Sequence, residues 1–379
     1  MELVFFAICL IVIFYTWRKS RRQPSQAFGT VDAIVPAFNE QLCIEQSLRN
    51  LLRNPYINRV ICVDDGSTDG TAQVLRRLSQ EGDERLIVVF QANTGKGGAL
   101  MNGLRHAVAE QVYLTDADTY LPPDQPGLGY MLAEIEDGAD AVGGIPASNL
   151  SGAGLLAYIR ASVKVPMITI QRTFQQIAGG APFIISGACG MFKTEVLRKH
   201  GFSDRTKVED LDLSWTLVSE GYRVRQANRC VVYSQECNSL REEWKRWRRW
   251  IVGYAVCMRL HRHLLISRFG LFTIFSMVVP VTTGVLSYAF LWPAAIEQFG
   301  FPQGLLYAIF PVLWVLVVSI LGAISAAHHR DYWLIPLASL AVFFVLFAYA
   351  VWLVHGLKAF VTGREPERDK PTRYAYVVD

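Results

Sequence analysis

Strand-like and helix-like spacing alternate from Thr30 to Asp118. The stretches TVDAIVPAFNE, RVICVDDGS, RLIVVFQANTG and QVYLTDAD begin as apolar, β-branched runs and break into polar or acidic residues, the first at Pro36. Between them, QLCIEQSLRNLLRN, TAQVLRRLSQ and KGGALMNGLRHAVAE repeat apolar side chains at helical intervals. Links this short imply a mainly parallel sheet covered by helices on both faces, an α/β fold. Ligands of such sheets bind where strand C-termini meet helix N-termini. Asn39 and Glu40 follow the first strand, Asp64 and Asp65 end the second, Lys96 follows the third, and Asp116 and Asp118 follow the fourth. Polar and acidic residues at successive strand ends predict a nucleotide-type site.

The motifs at those ends differ in what they permit. In VDDGSTDGT, Ser67, Thr68 or Asp69 can cap the next helix, but a cap needs one acid. The pair Asp64–Asp65 is therefore read as accepting hydrogen bonds from a base or ribose. TDADT sets Asp116 and Asp118 two residues apart, on one side of an extended chain. Such carboxylates suit a hard divalent cation, Mg²⁺ or Mn²⁺, completed by diphosphate oxygens and water. NTGKGGALMNG is no Walker loop, since Gly97 follows the lysine, and Leu100 breaks the dinucleotide glycine pattern. Lys96 can still meet a base or phosphate at a helix start, or stand in solvent. In VEDLDL, Glu209, Asp210 and Asp212 open a helix, where acids favour the dipole and where a general base is also available. ISGACGMF is small-residued and suits close approach of a substrate.

Apolar residues make up 51% of the chain but are unevenly placed. Residues 3–17 are nearly all apolar, and Leu271–Trp292, Leu305–Ala327 and Leu334–Leu357 are each near the length a bilayer helix needs. Arg18, Lys19, Arg21 and Arg22 follow the first run, which puts the middle region in the cytoplasm by the positive-inside rule. The expected layout is an anchor over 1–17, a cytoplasmic catalytic domain over 18–240, an interfacial amphipathic helix region over 241–265, two or three transmembrane helices within 266–357, and a basic tail over 358–379. The expected location is the plasma (inner) membrane. Seven cysteines without a CxxC spacing argue for reduced thiols rather than disulfides or a zinc site. A net charge of +4 is too small to imply nucleic acid; its clustering near 241–249 suits lipid headgroups or a phosphate-bearing substrate.

The stretch REEWKRWRRW sets tryptophans among basic residues. On a helix, Trp244, Trp247, Ile251, Tyr254, Ala255 and Met258 form an apolar arc suited to the headgroup level. Arg246, Arg249 and Gly253 form the adjoining face, with Trp250 at the seam. Two guanidiniums beside a glycine gap predict a diphosphate clamp, and Trp250 a surface on which an acceptor sugar stacks.

Together VPAFNE, VDDGSTDGT, NTGKGGALMNG, TDADT, SGACGMF, VEDLDL and RWRRWIVG resemble the inverting, nucleotide-sugar-dependent glycosyltransferases of family 2. Within that family they look like the membrane-embedded synthases of cellulose, chitin, hyaluronan and poly-N-acetylglucosamine. The likeness spans about residues 31–253. It implies a GT-A fold, which is Rossmann-like, using a UDP-sugar. Asp64 with Asp65 would hold the uridine, Asp116 and Asp118 the diphosphate and metal, and Asp210 would deprotonate the acceptor hydroxyl. Pro36, Asn39, Glu40, Lys96, Arg246 and Arg249 join the donor side, and Gly187, Cys189, Glu209 and Trp250 the acceptor side. The family's last motif is Q-x-x-R-W; Arg246 stands where Gln is usual, as in the related ceramide glucosyltransferases. A processive β-glycan synthase using UDP-N-acetylglucosamine is the first expectation, with a growing glycan, membrane lipids and secretion proteins as partners. Transfer of a single sugar to a membrane lipid is the alternative.

Overall fold

The computed structural model describes residues 10–12, 14–16, 18, 22–276, 292–304 and 309–364. Its centre is strand β1 (Val31–Ala37), buried along nearly its whole length because both faces are covered. Helix α1 (Ile44–Arg53) buries Ile44, Leu48 and Leu51 on one stripe and stops at Asn54, which is extended ahead of Pro55. Strand β2 (Ile57–Asp65), helix α2 (Thr71–Gln80), strand β3 (Leu86–Gln91), helix α3 (Gly95–His106) and strand β4 (Gln111–Leu114) complete the predicted alternation. There follow β5 (Thr119–Tyr120), α4 (Gly127–Glu136), β6 (Ala141–Ser148), the long α5 (Leu155–Gly179), β7 (Gly190–Lys193), α6 (Thr194–His200), α7 (Glu209–Ser219), β8 (Val224–Ser234) and α8 (Leu240–Leu260).

The strands form one sheet in the order β3-β2-β1-β4-β7-β6-β8-β5. Strands β3, β2, β1 and β4 are parallel, as expected. The other half departs from the mainly parallel expectation: β7 runs antiparallel to both β4 and β6, and β5 antiparallel to β8, while β6 and β8 are parallel. The fold is a mixed α/β sheet of GT-A, Rossmann-like type. Beyond Asp118 the regular alternation is lost in the sequence, so nothing local announces the reversal. Two apolar cores cover the sheet. One gathers Ile44, Leu48, Leu75, Leu128 and Met131; the other gathers Ile34, Leu100, Leu104, Leu197, Trp215 and Leu217.

Helix α8 is capped by Ser239, whose hydroxyl accepts from the Glu242 N–H at 3.3 Å. Its tryptophan arc meets protein rather than an open surface. Trp244 packs edge-on against Phe347, with ring centroids 5.1 Å apart, and Val252, Ala255 and Val256 cluster with Trp352 and Ala359. Trp250, Tyr254 and Met258 pack against the second of the two apolar cores. The predicted interfacial helix is therefore the joint between the sheet domain and the C-terminal elements.

Among the described residues no helix is long and apolar enough to cross a membrane. The expected anchor over 1–17, the span Leu271–Trp292 and the tail lie largely outside the described residues. Within the second span, helix α9 (Ile309–His329) docks on α5, where the Ser325 hydroxyl donates to the Ala161 carbonyl at 2.6 Å. The third span is not one regular α-helix. It runs through a turn of helix (Leu334–Leu337), a 3₁₀ segment (Ala338–Ala341), an α-helix (Val342–Val351) and a π segment (Trp352–Gly356).

Candidate active site

The strand ends are tied to one another before any ligand is considered. Asn39 adopts a left-handed φ of 55°, a conformation asparagine tolerates. Its N–H donates to Ser67 Oγ at 2.9 Å and its Oδ1 accepts from the Thr68 N–H at 2.7 Å. The Glu40 N–H donates to Thr71 Oγ1 at 2.8 Å, and its carboxylate is buried. These residues brace the loop after β2, while Pro36 lies in β1 opposite Val63. Asp64 and Asp65 are both buried but do not act as a pair. Asp64 Oδ1 accepts from the Ser67 N–H at 3.2 Å, whereas Asp65 Oδ1 accepts from the Thr94 N–H at 2.8 Å and Gln91 Nε2 at 2.7 Å. Adjacent strand residues face opposite ways, so one carboxylate shapes its own loop and the other anchors the start of α3.

Lys96, at the start of α3, reaches across the sheet end. Its ammonium lies 2.5 Å from Asp116 Oδ1 and 3.6 Å from Glu209 Oε1. Asp118 is buried, with Thr119 Oγ1 donating to it at 3.3 Å. Asp210 lies beside this group, and its Oδ2 accepts from the Gly187 N–H at 2.9 Å. A side chain at Gly187 would crowd both: its Cβ would stand 2.9 Å from Lys96 Nζ and 3.5 Å from Asp210 Oδ2. Lys96, Ser186, Gly187, Phe202, Glu209 and Asp210 line one small cleft. Burial, then the neighbouring Glu209 charge, raises the Asp210 pKa; Lys96 and the Gly187 N–H oppose the shift. The cleft thus sets a carboxylate of raised pKa beside the acidic end of β4, an arrangement of the kind that marks functional sites.

Other expected residues sit elsewhere. Cys189 is fully buried, its sulfur 3.8 Å from that of Cys230, because the chain turns at Ser186 and enters β7 as core. It is not part of an acceptor groove. The expected clamp of two arginines around Gly253 is also revised. Val208 fills the glycine gap, so a Cβ at Gly253 would meet Val208 Cγ2 at 2.7 Å. Arg246 is held by two buried carboxylates, donating to Glu236 at 2.6 Å and to Glu243. Arg249 is half-buried near Tyr254, and Trp250 packs beside both arginines 160 and 246.

Two residues near Asp210 carry no motif. The Tyr254 phenol is pushed up to about 12 by burial and by the Asp210 charge. Arg172, within α5, is buried and donates to the Gly144 carbonyl at 3.3 Å; burial lowers its pKa, with Tyr254 and Asp210 opposing. Helical spacing puts Tyr254 on α8's apolar arc, and that was its only sequence signal. Behind Asp210, the Asp212 carboxylate accepts from Arg205 at 2.9 and 3.0 Å and lies 2.7 Å from His261 Nε2. With Cys257 these ligand atoms lie within 4.8 Å of one another, but the Arg205 guanidinium already faces the carboxylate.

Comparisons with known proteins agree with this geometry. The family model "Glycosyl transferase family 2" matches residues 32–201. The chain is 63% identical over 374 residues to the Escherichia coli protein described as "Uncharacterized glycosyltransferase YaiP", covering 98% of this chain and 94% of that one. It is 30% identical over 224 residues to the poly-β-1,6-N-acetyl-D-glucosamine synthase of Staphylococcus aureus, and spans about half that relative's length, 53%. A solved mannosyltransferase of Pyrobaculum calidifontis, in complex with GDP-mannose and Mn²⁺, superposes with a TM-score of 0.59 at 20% identity, over 93% of this chain and 96% of that one. That likeness concerns the fold. With the acidic strand ends, the cleft and a near-full-length relative in agreement, this chain belongs to glycosyl transferase family 2 and is a glycosyltransferase.

Proposed function

We propose that the enzyme moves a sugar, N-acetylglucosamine first among candidates, from a UDP-sugar to the end of a growing β-linked glycan at the membrane. One observation carries the reading: the Asp210 carboxylate, fixed by the Gly187 N–H at 2.9 Å, shares its cleft with Lys96 and, through Lys96, with Asp116. A base and a donor-side acid within one cleft suit in-line displacement. The acceptor hydroxyl oxygen attacks the anomeric carbon as its proton passes to Asp210, and the bond to UDP breaks on the opposite face, inverting the centre. Asp116 and Asp118 have the hard-oxygen chemistry that Mg²⁺ or Mn²⁺ takes, and two carboxylates suffice when diphosphate and water complete the shell. Bound there, such an ion would stabilise the charge on departing UDP. Lys96 neutralises Asp116 in the meantime, and Arg249 remains a donor-side cation. Likeness to the Staphylococcus aureus synthase supports the glycan product and the donor, and the apolar runs support an inner-membrane location with the catalytic domain cytoplasmic. Secretion proteins would then be partners.

Product sizing tests the reading. Purified protein with radiolabelled UDP-N-acetylglucosamine should yield a ladder of glycans that a matching glycanase degrades. A single organic-soluble monoglycosyl lipid would overturn the polymer in favour of lipid glycosylation. A clear preference for UDP-glucose in a donor panel would overturn the sugar.

A further inference from the structure

Under the tryptophans of α8 lies a group of buried charges that the proposed chemistry leaves unused. The side chains of Glu236 and Glu243 are each 1% exposed. Lys164 donates to Glu236 at 2.6 Å, as does Ser148 at 2.7 Å. Arg160, on α5, donates to Glu243 at 2.5 Å, and its Nε stands 3.1 Å from Glu236. Arg246 bridges the same two carboxylates from α8, and Trp247 Nε1 donates to Glu243 at 2.8 Å. Three cations and two carboxylates are thus knotted between α5 and the start of α8.

A knot that only joined two helices would need no aromatic ring. Here both guanidiniums also approach the face of Trp250, Arg160 at 5.1 Å and Arg246 at 5.4 Å from the ring centroid, and Trp247 meets it edge-on at 5.9 Å. Trp250 stands one helical turn before Tyr254, and both pack on the core that holds Leu211 and Leu213 beside Asp210, so the indole borders that side of α8. Arg246 supplies one of the two cations on the ring, and Glu236 and Glu243 balance it.

We propose that Arg160 and Arg246, locked by Glu236 and Glu243, are positioning residues that fix the Trp250 indole as the surface on which the acceptor sugar stacks; this rests on the glycan-acceptor reading above. A truncated knot leaves donor binding intact and loosens the ring. The test uses the full chain carrying Glu243→Gln or Arg160→Lys, each with a Trp250→Phe counterpart so that Trp250 fluorescence is obtained by difference. Acrylamide quenching of Trp250 should rise about twofold, as should be seen when the planar cation is lost from the ring. The KM for a tetramer of β-linked N-acetylglucosamine should rise about tenfold, the size of a lost stacking contact, while UDP affinity by calorimetry stays within about twofold. Unchanged quenching in both variants overturns the lock. Raised quenching with an unchanged acceptor KM, or UDP affinity falling in parallel, overturns the positioning role. Should Glu243→Gln fail to fold, Arg160→Lys, which keeps the charge, decides. Wild-type protein that hydrolyses the donor yet extends no tetramer would sink the glycan acceptor, and with it the role given to Trp250, whatever the quenching shows.

Discussion

Asp210 has to be ionised to take a proton, and its cleft makes ionisation harder. Burial and Glu209 raise its pKa above the ordinary 3.8, so the charged form that the proposed reaction uses is lost at a higher pH than for a solvated aspartate. The acid limb of kcat against pH should therefore lie above 3.8, and Lys96→Met should move it higher, because the ammonium opposes the shift. A limb that stays put in Lys96→Met would disconnect the two groups. Asp210→Asn should lower kcat by about 10²–10⁴ while sparing donor affinity. Chelation by EDTA should abolish turnover, and Mg²⁺ or Mn²⁺ should restore it; full activity in EDTA would remove any metal role from Asp116 and Asp118. At this scale the sequence was most legible where chemistry and topology coincide. Lys96 and Asp116 gather because they follow strands of one parallel half-sheet, and the start of α7 brings Glu209 and Asp210 to them. Arg246 was misleading because its partner Glu236 lies in no motif, Glu243 of REEWKRWRRW was given no role, and only packing brings Lys164 and Arg160 onto them.

Helix α8 owes its place to a single missing side chain. Gly253 lets it lie against Val208, one residue before the helix that bears Glu209 and Asp210. Gly253→Ala would drive a Cβ to 2.7 Å from Val208 Cγ2, and overpacking of this kind costs about 1–3 kcal/mol. A lower urea midpoint together with reduced kcat would show that the α7 start had moved; an unchanged midpoint would deny the contact. The far end of α8 is held by His261 on Asp212. Burial alone would raise the Asp212 pKa, but hydrogen bonds from His261, Ser203 and Arg205 outweigh it and leave the pKa lowered. The sign follows: the carboxylate stabilises the fold above its unfolded pKa, and that contribution is lost as pH falls through the folded value. Asp212→Asn should cost about 2 kcal/mol at neutral pH in chemical unfolding, little of it from the exposed arm of Arg205, and should flatten the loss of stability on acidification. Helical spacing announced α8, yet its tryptophan arc was read as lying at the headgroup level and its Gly253 face as a diphosphate clamp, where the structure sets protein against both. Apolar periodicity tells which side is buried, not what buries it.

Across the whole molecule, what could be read was local. The β1 to β4 half follows from alternation alone, whereas the reversal at β7 depends on Gly190–Lys193 pairing with strands far away in sequence. The C-terminal third raises the same question at larger scale, since α8 hands its tryptophan side to elements made from the predicted spans. The apolar runs at 3–17 and from Leu271 to Leu357 are what an inserted chain would place in a bilayer, and Arg18, Lys19, Arg21 and Arg22 mark which side the catalytic domain would then occupy. A chain inserted through these runs should resist extraction by alkaline carbonate, which strips proteins bound by charge alone. The full-length enzyme should therefore remain in the membrane pellet. Its 22–260 region should be cut by added protease in inverted inner-membrane vesicles but not in right-side-out ones. Recovery in the carbonate supernatant would make the apolar runs a protein-covered core, and equal cleavage in both vesicle types would overturn the orientation drawn from the basic cluster.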